Sequence, residues 1–457
     1  MARGSAPSAR RVATAGYSGQ EKGPRYGATA TSSRRLQLWL DGPRALSYPR
    51  RNRGENDPGP EAVQKMFPER FSTLPPYAFP RLRALLDGHA PGGEVRHMTI
   101  GEPKHPFPDW VPEVIAAHAE DFGRYPPNDG TPELRAAITD WLRRRYGVEL
   151  DPERQVMPLN GTREGLYNAA MALFPESKRG KRPVVLIPNP FYQAYMIAAI
   201  SVGAEPVFVP ATRETGFLPD FSALSAEVLD RAVAAYVCSP ANPQGAVADR
   251  GYWTGLLSLA ERHDFRVLAD ECYAEIWRDA PPEGALEIAA AAGADPERVL
   301  VFHSLSKRSN LPGLRSGFVA GGPESLERIK RLRAYAGAPL PLPIQRVSER
   351  AWSEEDHVEE NRRLYRAKFA AADEILGDLP GYASPPAGFF LWLPVGDGEA
   401  AALKLWQETG LRVLPGVYLG QDGPDGNPGA GYIRVALVAP EHEVRDGLRL
   451  IRRCLFD

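Results

Sequence analysis

The sequence predicts an α/β protein: a three-layer α/β/α body on a mostly parallel sheet, joined to a smaller α+β domain. Two features carry that expectation. In the middle of the chain, short apolar runs at Val184–Pro188, Pro206–Val209, Ala234–Pro240, Arg266–Asp270, Val299–Ser304 and Ser316–Gly321 alternate with helical patterns. Runs that are almost continuously apolar belong to strands covered on both faces. The helices between them, among them Thr162–Phe174, Tyr192–Val202 and Gly251–His263, supply those covers, and strand–helix–strand repetition implies parallel pairing. Beyond Pro343 the pattern changes. A long amphipathic stretch, Ile344–Leu379, carries Trp352, Val358, Leu364, Phe369 and Ile375 on its apolar positions. A strand Gly388–Pro394, a helix Glu399–Glu408, strands Arg412–Pro415 and Tyr432–Val438 and a helix Glu441–Leu455 follow, an α+β pattern. The expected division is a basic extension over 1–62, a segment 63–110 contributing to the small domain, a large body 111–343 and a C-terminal small domain 344–457.

The 457 residues are 43% hydrophobic and 25% charged, with a net charge of −2, so no basic field for nucleic acid or a membrane surface is expected. The most apolar helical run, Ala194–Ala204, stops at Glu205, well short of the ~18–20 residues that span a bilayer. Cys238, Cys272 and Cys454 show no metal-ligand spacing and read as reduced thiols of a cytoplasmic protein whose chemistry is organic. Between Met1 and Gly54 arginines such as Arg10, Arg11, Arg34 and Arg35 meet only Glu21 and Asp41 as acids. That segment is expected to be disordered. An organelle transit segment or an upstream translation start would have the same composition.

Four segments carry chemistry. In Val301-Phe-His-Ser-Leu-Ser-Lys307-Arg-Ser-Asn-Leu-Pro-Gly-Leu-Arg315, an apolar strand delivers a lysine into a turn of small polar residues. A lysine desolvated at a strand end loses basicity and forms an imine with a carbonyl more readily, whereas taken alone it reads as a surface lysine in a polar turn. Ser304, Ser306 and Arg315 are donors suited to a phosphate. In Arg266-Val-Leu-Ala-Asp270-Glu-Cys-Tyr273 the acid sits at the carboxyl end of a strand, where open α/β sheets bind ligands, although a helix-capping role fits an isolated Asp equally well. Asn160-Gly161-Thr162 opens a helix whose first N–H groups could meet an anion or simply be capped. Asn242 stands in Asn-Pro-Gln-Gly245, either aimed inward or part of a plain turn.

In this order the four segments resemble the class I/II aminotransferases of pyridoxal-phosphate fold type I, over the chain from about Pro75 onward. The resemblance implies Lys307 as the Schiff-base lysine and Asp270 as the partner of the pyridine nitrogen. Asn242 and Tyr273 would hold the ring oxygen, and Tyr192 would stack on the ring. Gly161, Thr162, Ser304, Ser306 and Arg315 would bind the phosphate, joined by Tyr125 reaching the neighbouring subunit of a homodimer. Arg434, in Gly431-Tyr-Ile-Arg-Val, would grip the substrate α-carboxylate under the loop containing Gly101; an outward arginine on an alternating strand is the other reading.

A closer resemblance is to bacterial succinyldiaminopimelate aminotransferases. It rests on Ile100-Gly-Glu-Pro-Lys-His-Pro106, Pro158-Leu-Asn-Gly-Thr-Arg-Glu164, Pro188-Asn-Pro-Phe-Tyr-Gln193, Cys238-Ser-Pro240, the lysine segment and Asn427-Pro-Gly-Ala-Gly431. Gln244 in the Asn-Pro-x-Gly turn and Ala336-Gly-Ala-Pro339 depart from that pattern. The implied reaction joins N-succinyl-diaminopimelate with 2-oxoglutarate in lysine biosynthesis, with Lys104 and Arg308 as candidates for the distal carboxylate or succinyl group. The competing expectations are transamination of another amino acid, a C–S lyase on the same scaffold, or a transcription regulator with an aminotransferase-like domain.

Overall fold

The computed structural model describes residues 68–72 and 74–457. The extension expected over 1–62 lies outside the described residues. Twelve strands are present among the described residues: β1 Arg96–His97, β2 Val156–Leu159, β3 Val184–Asn189, β4 Glu205–Pro210, β5 Ala232–Cys238, β6 Arg266–Asp270, β7 Val299–Ser304, β8 Gly317–Gly321, β9 Phe390–Pro394, β10 Leu411–Arg412, β11 Leu414–Pro415 and β12 Tyr432–Ala436. Seven of them form one sheet in the order β2-β8-β7-β6-β5-β3-β4. Neighbouring strands from β7 through β4 pair in parallel, and β8 runs antiparallel to both β7 and β2.

Alternate residues of these strands feed two separate cores. Leu186, Val237, Val267 and Val301 face helices Pro132–Tyr146, Arg250–His263, Ala285–Ala292 and Leu342–Ser353. Ile187, Tyr236, Leu268 and Phe302 face helices Thr162–Leu173, Gln193–Ser201 and Pro323–Ala336. Burial on both faces explains the continuous apolar runs in the sequence, and the result is the expected three-layer α/β body. The sequence reading passed over β2, a short edge strand interrupted by Pro158. Proline is tolerated there because only one side of the strand needs ladder donors.

The amphipathic stretch after Pro343 divides. One helix, Leu342–Ser353, packs Val347, Ala351 and Trp352 onto the large sheet's core; the next, Asp356–Leu376, packs Phe369 and Ile375 onto the small one. The break at Glu354, in extended conformation, frees end carbonyls that Arg308 takes up. Strands β11-β12-β9 form an antiparallel sheet whose Leu391, Leu393, Ile433 and Val435 share a core with Leu405, Leu448 and Ile451. The expected strand Arg412–Pro415 is likewise two strands. Leu411–Arg412 pairs with Arg96–His97, tying the N-terminal segment to this part of the chain, and Leu414–Pro415 pairs with β12.

Candidate active site

The carboxyl ends of β5, β6 and β7 open into a cavity of about 1210 Å³, the position where a sheet of this winding leaves a crevice. Gly101, Thr162, Tyr192, Asn242, Asp270, Tyr273, Ser304, Ser306, Lys307, Arg315 and Arg434 all line it. Residues from Gly101 to Arg434 are thus brought to one space by strand ends, by the small sheet and by the N-terminal segment.

Lys307 lies on the single helical turn Leu305–Arg308 that follows β7. Ser304 caps this turn, its Oγ accepting from the Ser306 N–H at 3.0 Å. The lysine Nζ donates to the Gly101 carbonyl and stands 5.2 Å from the Phe389 ring centroid and 6.0 Å from that of Tyr273. Burial among these groups pulls its pKa down to about 8, so a free amine is accessible near neutral pH.

Asp270 ends β6 with 5% exposure. Its Oδ2 accepts from the Tyr195 hydroxyl at 2.7 Å and its Oδ1 from the Cys272 N–H at 3.3 Å. Burial pushes the carboxyl pKa above its ordinary value, against the opposing pull of these two donors. Tyr195 was missed in the sequence. Its signal was its place three residues after Tyr192, which puts both rings near one face of the helix Gln193–Ser201.

A cradle for an anion lies at the opening of the helix Thr162–Leu173. Gly161, at φ +82°, leaves that helix without a side-chain cap, so its first N–H groups remain free. A Cβ at this position would lie 2.3 Å from Arg315 Nη2, and the positive φ itself is one that residues with a Cβ rarely adopt. Arg315 itself adopts φ +56°, a conformation uncommon outside glycine, and its guanidinium rests on the Pro312 carbonyl at 2.9 Å. Ser304 Oγ and Ser306 Oγ are 2.9 Å apart on the other side of the lysine turn.

Arg434 points inward and is not an outward arginine on an alternating strand. It is 5% exposed, donating to Asn242 Oδ1 at 3.0 Å and to the Thr99 carbonyl at 2.8 Å, with Phe390 stacked 4.1 Å away. Burial lowers its pKa to about 10, and its Nε has no hydrogen-bond partner among the described residues. A guanidinium buried beside a cavity without a carboxylate partner is prepared for an incoming anion.

Three expected residues lie elsewhere. Arg308 is a correction: it is 2% exposed beneath the turn, with its guanidinium carbon 5.0 Å from Trp352 and 5.6 Å from Trp141, and it pairs with Glu355 at 2.6 Å. One residue along a helix rotates the side chain by about 100°, enough to turn Arg308 off the cavity side that Lys307 faces. Lys104 is exposed and does not line the cavity. Tyr125 is fully exposed and does not line it either. Two arginines not singled out in the sequence stand at the mouth instead. Arg163 donates to the Tyr192 hydroxyl, and Arg81 stacks 4.0 Å over the Tyr418 ring.

Pyridoxal phosphate makes three demands of a site, and the residues present fit each. The buried amine suits its aldehyde, the buried acid its ring nitrogen, and the Gly161–Arg315 cradle its phosphate.

A family model described as aminotransferase class I and II matches residues 94–450. The chain is 32% identical over 389 residues to an LL-diaminopimelate aminotransferase of Dehalococcoides mccartyi, a match covering 83% of this chain and 96% of that protein. A solved aminotransferase of Neisseria meningitidis is similar at a TM-score of 0.81 and 40% identity, covering 84% of this chain and 99% of the other. A structure titled as a probable N-succinyldiaminopimelate aminotransferase of Thermus thermophilus is similar at a TM-score of 0.73 and 28% identity, covering 83% and 100%.

Proposed function

Because the chain belongs to the aminotransferase class I and II family, with pyridoxal 5′-phosphate as cofactor and amino and 2-keto acids as substrates, we propose that it transaminates a diaminopimelate-type donor with 2-oxoglutarate. Bound in the cavity, the cofactor supplies an electron-withdrawing ring that stabilises charge developing at the donor's α-carbon. Lys307 would hold the cofactor through its amine, and its Nζ, when free, would be the base for the proton on that carbon. Asp270, its carboxylate fixed by Tyr195, would keep a proton on the ring nitrogen, Tyr192 would pack on the ring, and Tyr273 and Asn242 would hold its oxygen. Thr162, Ser304, Ser306 and Arg315 would bind the phosphate around Gly161. Arg434 receives the α-carboxylate, turned by Asn242 and Thr99, under the Gly101 loop. Tyr125, exposed on this chain, serves the second subunit of a homodimer.

The observation that carries the substrate class is the pair Arg81 and Arg163 at the mouth, beyond the arginine assigned to the α-carboxylate. N-succinyl-diaminopimelate ends in two carboxylates and no free amine at its distal end, which suits these two cations, since of the carboxylates lining the cavity Glu164 is paired with Arg333 and Asp422 accepts from Asn427. The unmodified LL isomer ends in an ammonium as well as a carboxylate, and the name of the Dehalococcoides relative favours it as a second reading. Each compound is incubated with 2-oxoglutarate and glutamate is measured; a cysteine thioether is run beside them for pyruvate. Glutamate formed fastest with the succinylated donor is expected, together with a KM for it that rises about tenfold in Arg163→Met. Equal rates with and without the succinyl group defeat the succinyl reading, and pyruvate from the thioether alone defeats transamination.

A further inference from the structure

The loop Ile100–Pro106 contains no helix or strand and Ile100 at its start is 52% exposed; Pro103 is buried and Gly101 lies against Phe389 and Phe390, and a few polar ties complete its placement. Two reach the lysine turn directly: Lys307 Nζ to the Gly101 carbonyl, and Asn310 Nδ2 to the Pro106 carbonyl at 3.2 Å. A third runs through three side chains. Asn361 Nδ2 faces the carbonyls of Lys307 at 3.1 Å and Arg308 at 3.3 Å. Those carbonyls only accept, so the amide orientation is fixed and Oδ1 faces His105 Nδ1 at 2.8 Å. Nδ1 must then carry the proton and Nε2 is left as an acceptor. Lys368 Nζ completes the chain at 2.6 Å from Nε2. Every link has one consistent direction, from the helix Asp356–Leu376 through the loop to the main chain of the Lys307 turn.

Lys368 is 1% exposed and forms no ion pair among the described residues, and Asn361 is 3% exposed. A methionine would fill the same volume without burying an amine, so packing alone gives no reason for a lysine here. The His105 ring also rests on Tyr365, centroids 4.7 Å apart, and Tyr365 stacks on Phe389 beside the Lys307 amine. We propose that Lys368, His105 and Asn361 are positioning residues, a buried relay holding the Gly101 loop and the main chain of the Lys307 turn in one fixed relation.

The test compares full-length holoenzyme carrying Lys368→Met or Lys368→Gln with wild type. Amide hydrogen exchange over residues 98–107 requires no substrate, so it stands or fails apart from the donor assignment. In Lys368→Met that exchange should quicken about tenfold, and kcat/KM with the active donor should fall about tenfold, while the melting temperature stays level or rises. Lys368→Gln, still a donor to His105, should hold both within about twofold of wild type. Loop exchange and kcat/KM unchanged in Lys368→Met would overturn the relay, and so would a glutamine variant as impaired as the methionine one. Should Lys368→Met fail to fold, His105→Phe keeps the ring on Tyr365 and deletes both bonds; loop exchange at the wild-type rate in that variant overturns the proposal equally.

Discussion

Lys307 and Lys368 are both withdrawn from water, and burial pulls both pKa values down, to about 8 and about 7. What stands opposite each nitrogen differs. Lys307 faces a cavity that also presents a buried acid and a buried guanidinium. Lys368 faces the Nε2 of His105 and the Tyr365 ring 4.7 Å away. Lowered basicity therefore does not identify a reactive amine by itself. An open face with complementary groups across it does, and the same desolvation without that face makes a hydrogen-bond donor held in place.

The comparison breaks most sharply at position 307. Lys307→Ala should abolish the absorbance of covalently bound cofactor and slow turnover by about 10⁴-fold or more, and colour with turnover retained would remove the distinction between the two lysines. Asp270→Asn tests what lies across the cavity: kcat should fall about 10²- to 10³-fold with the fold intact by circular dichroism, because the amide cannot balance a cationic ring nitrogen. The smallest effect concerns stability at the second lysine. Lys368 titrates near 7 in the folded chain, against 10.5 in water, with His105 beside it and Glu441 and Glu443 on the C-terminal helix as the nearby acids. Between those values the unfolded chain binds the additional proton, so folding stability rises with pH; the burial penalty is complete below about pH 7 and has gone by about 10.5. Denaturant titrations of wild type and Lys368→Met should thus show the variant's relative stability declining by about 1.4 kcal/mol per pH unit between pH ~7 and ~10. A gap independent of pH would show that Lys368 is not buried as an amine.

Much of this was readable in the chain. The strands Arg266–Asp270 and Val299–Ser304 and the helix Glu441–Leu455 lie where their apolar patterns placed them, because continuous burial on two faces, or one strong apolar stripe, leaves a direct mark on sequence. The residues gathered at strand ends were legible through local motifs. Contacts made across long separations were not. Nothing near Arg308 in sequence indicated that Trp141, Trp352 and Glu355 would enclose it, and nothing near Lys368 indicated His105, 263 residues away. The break at Glu354 was hidden for the same reason, since the cation that takes up its end carbonyls arrives from another part of the chain.

Arg308 has a mechanical consequence for the residue before it. In the transamination proposed above the Lys307 amine would travel between two bonding partners, and a lysine reaches through four methylenes. If the peptide at 307–308 drifted with each excursion, the nitrogen would return to a different place every cycle. With the neighbouring guanidinium bolted between two indoles and the end of a helix, the stalk can swing while its root stays still, so that each turnover starts from the same geometry.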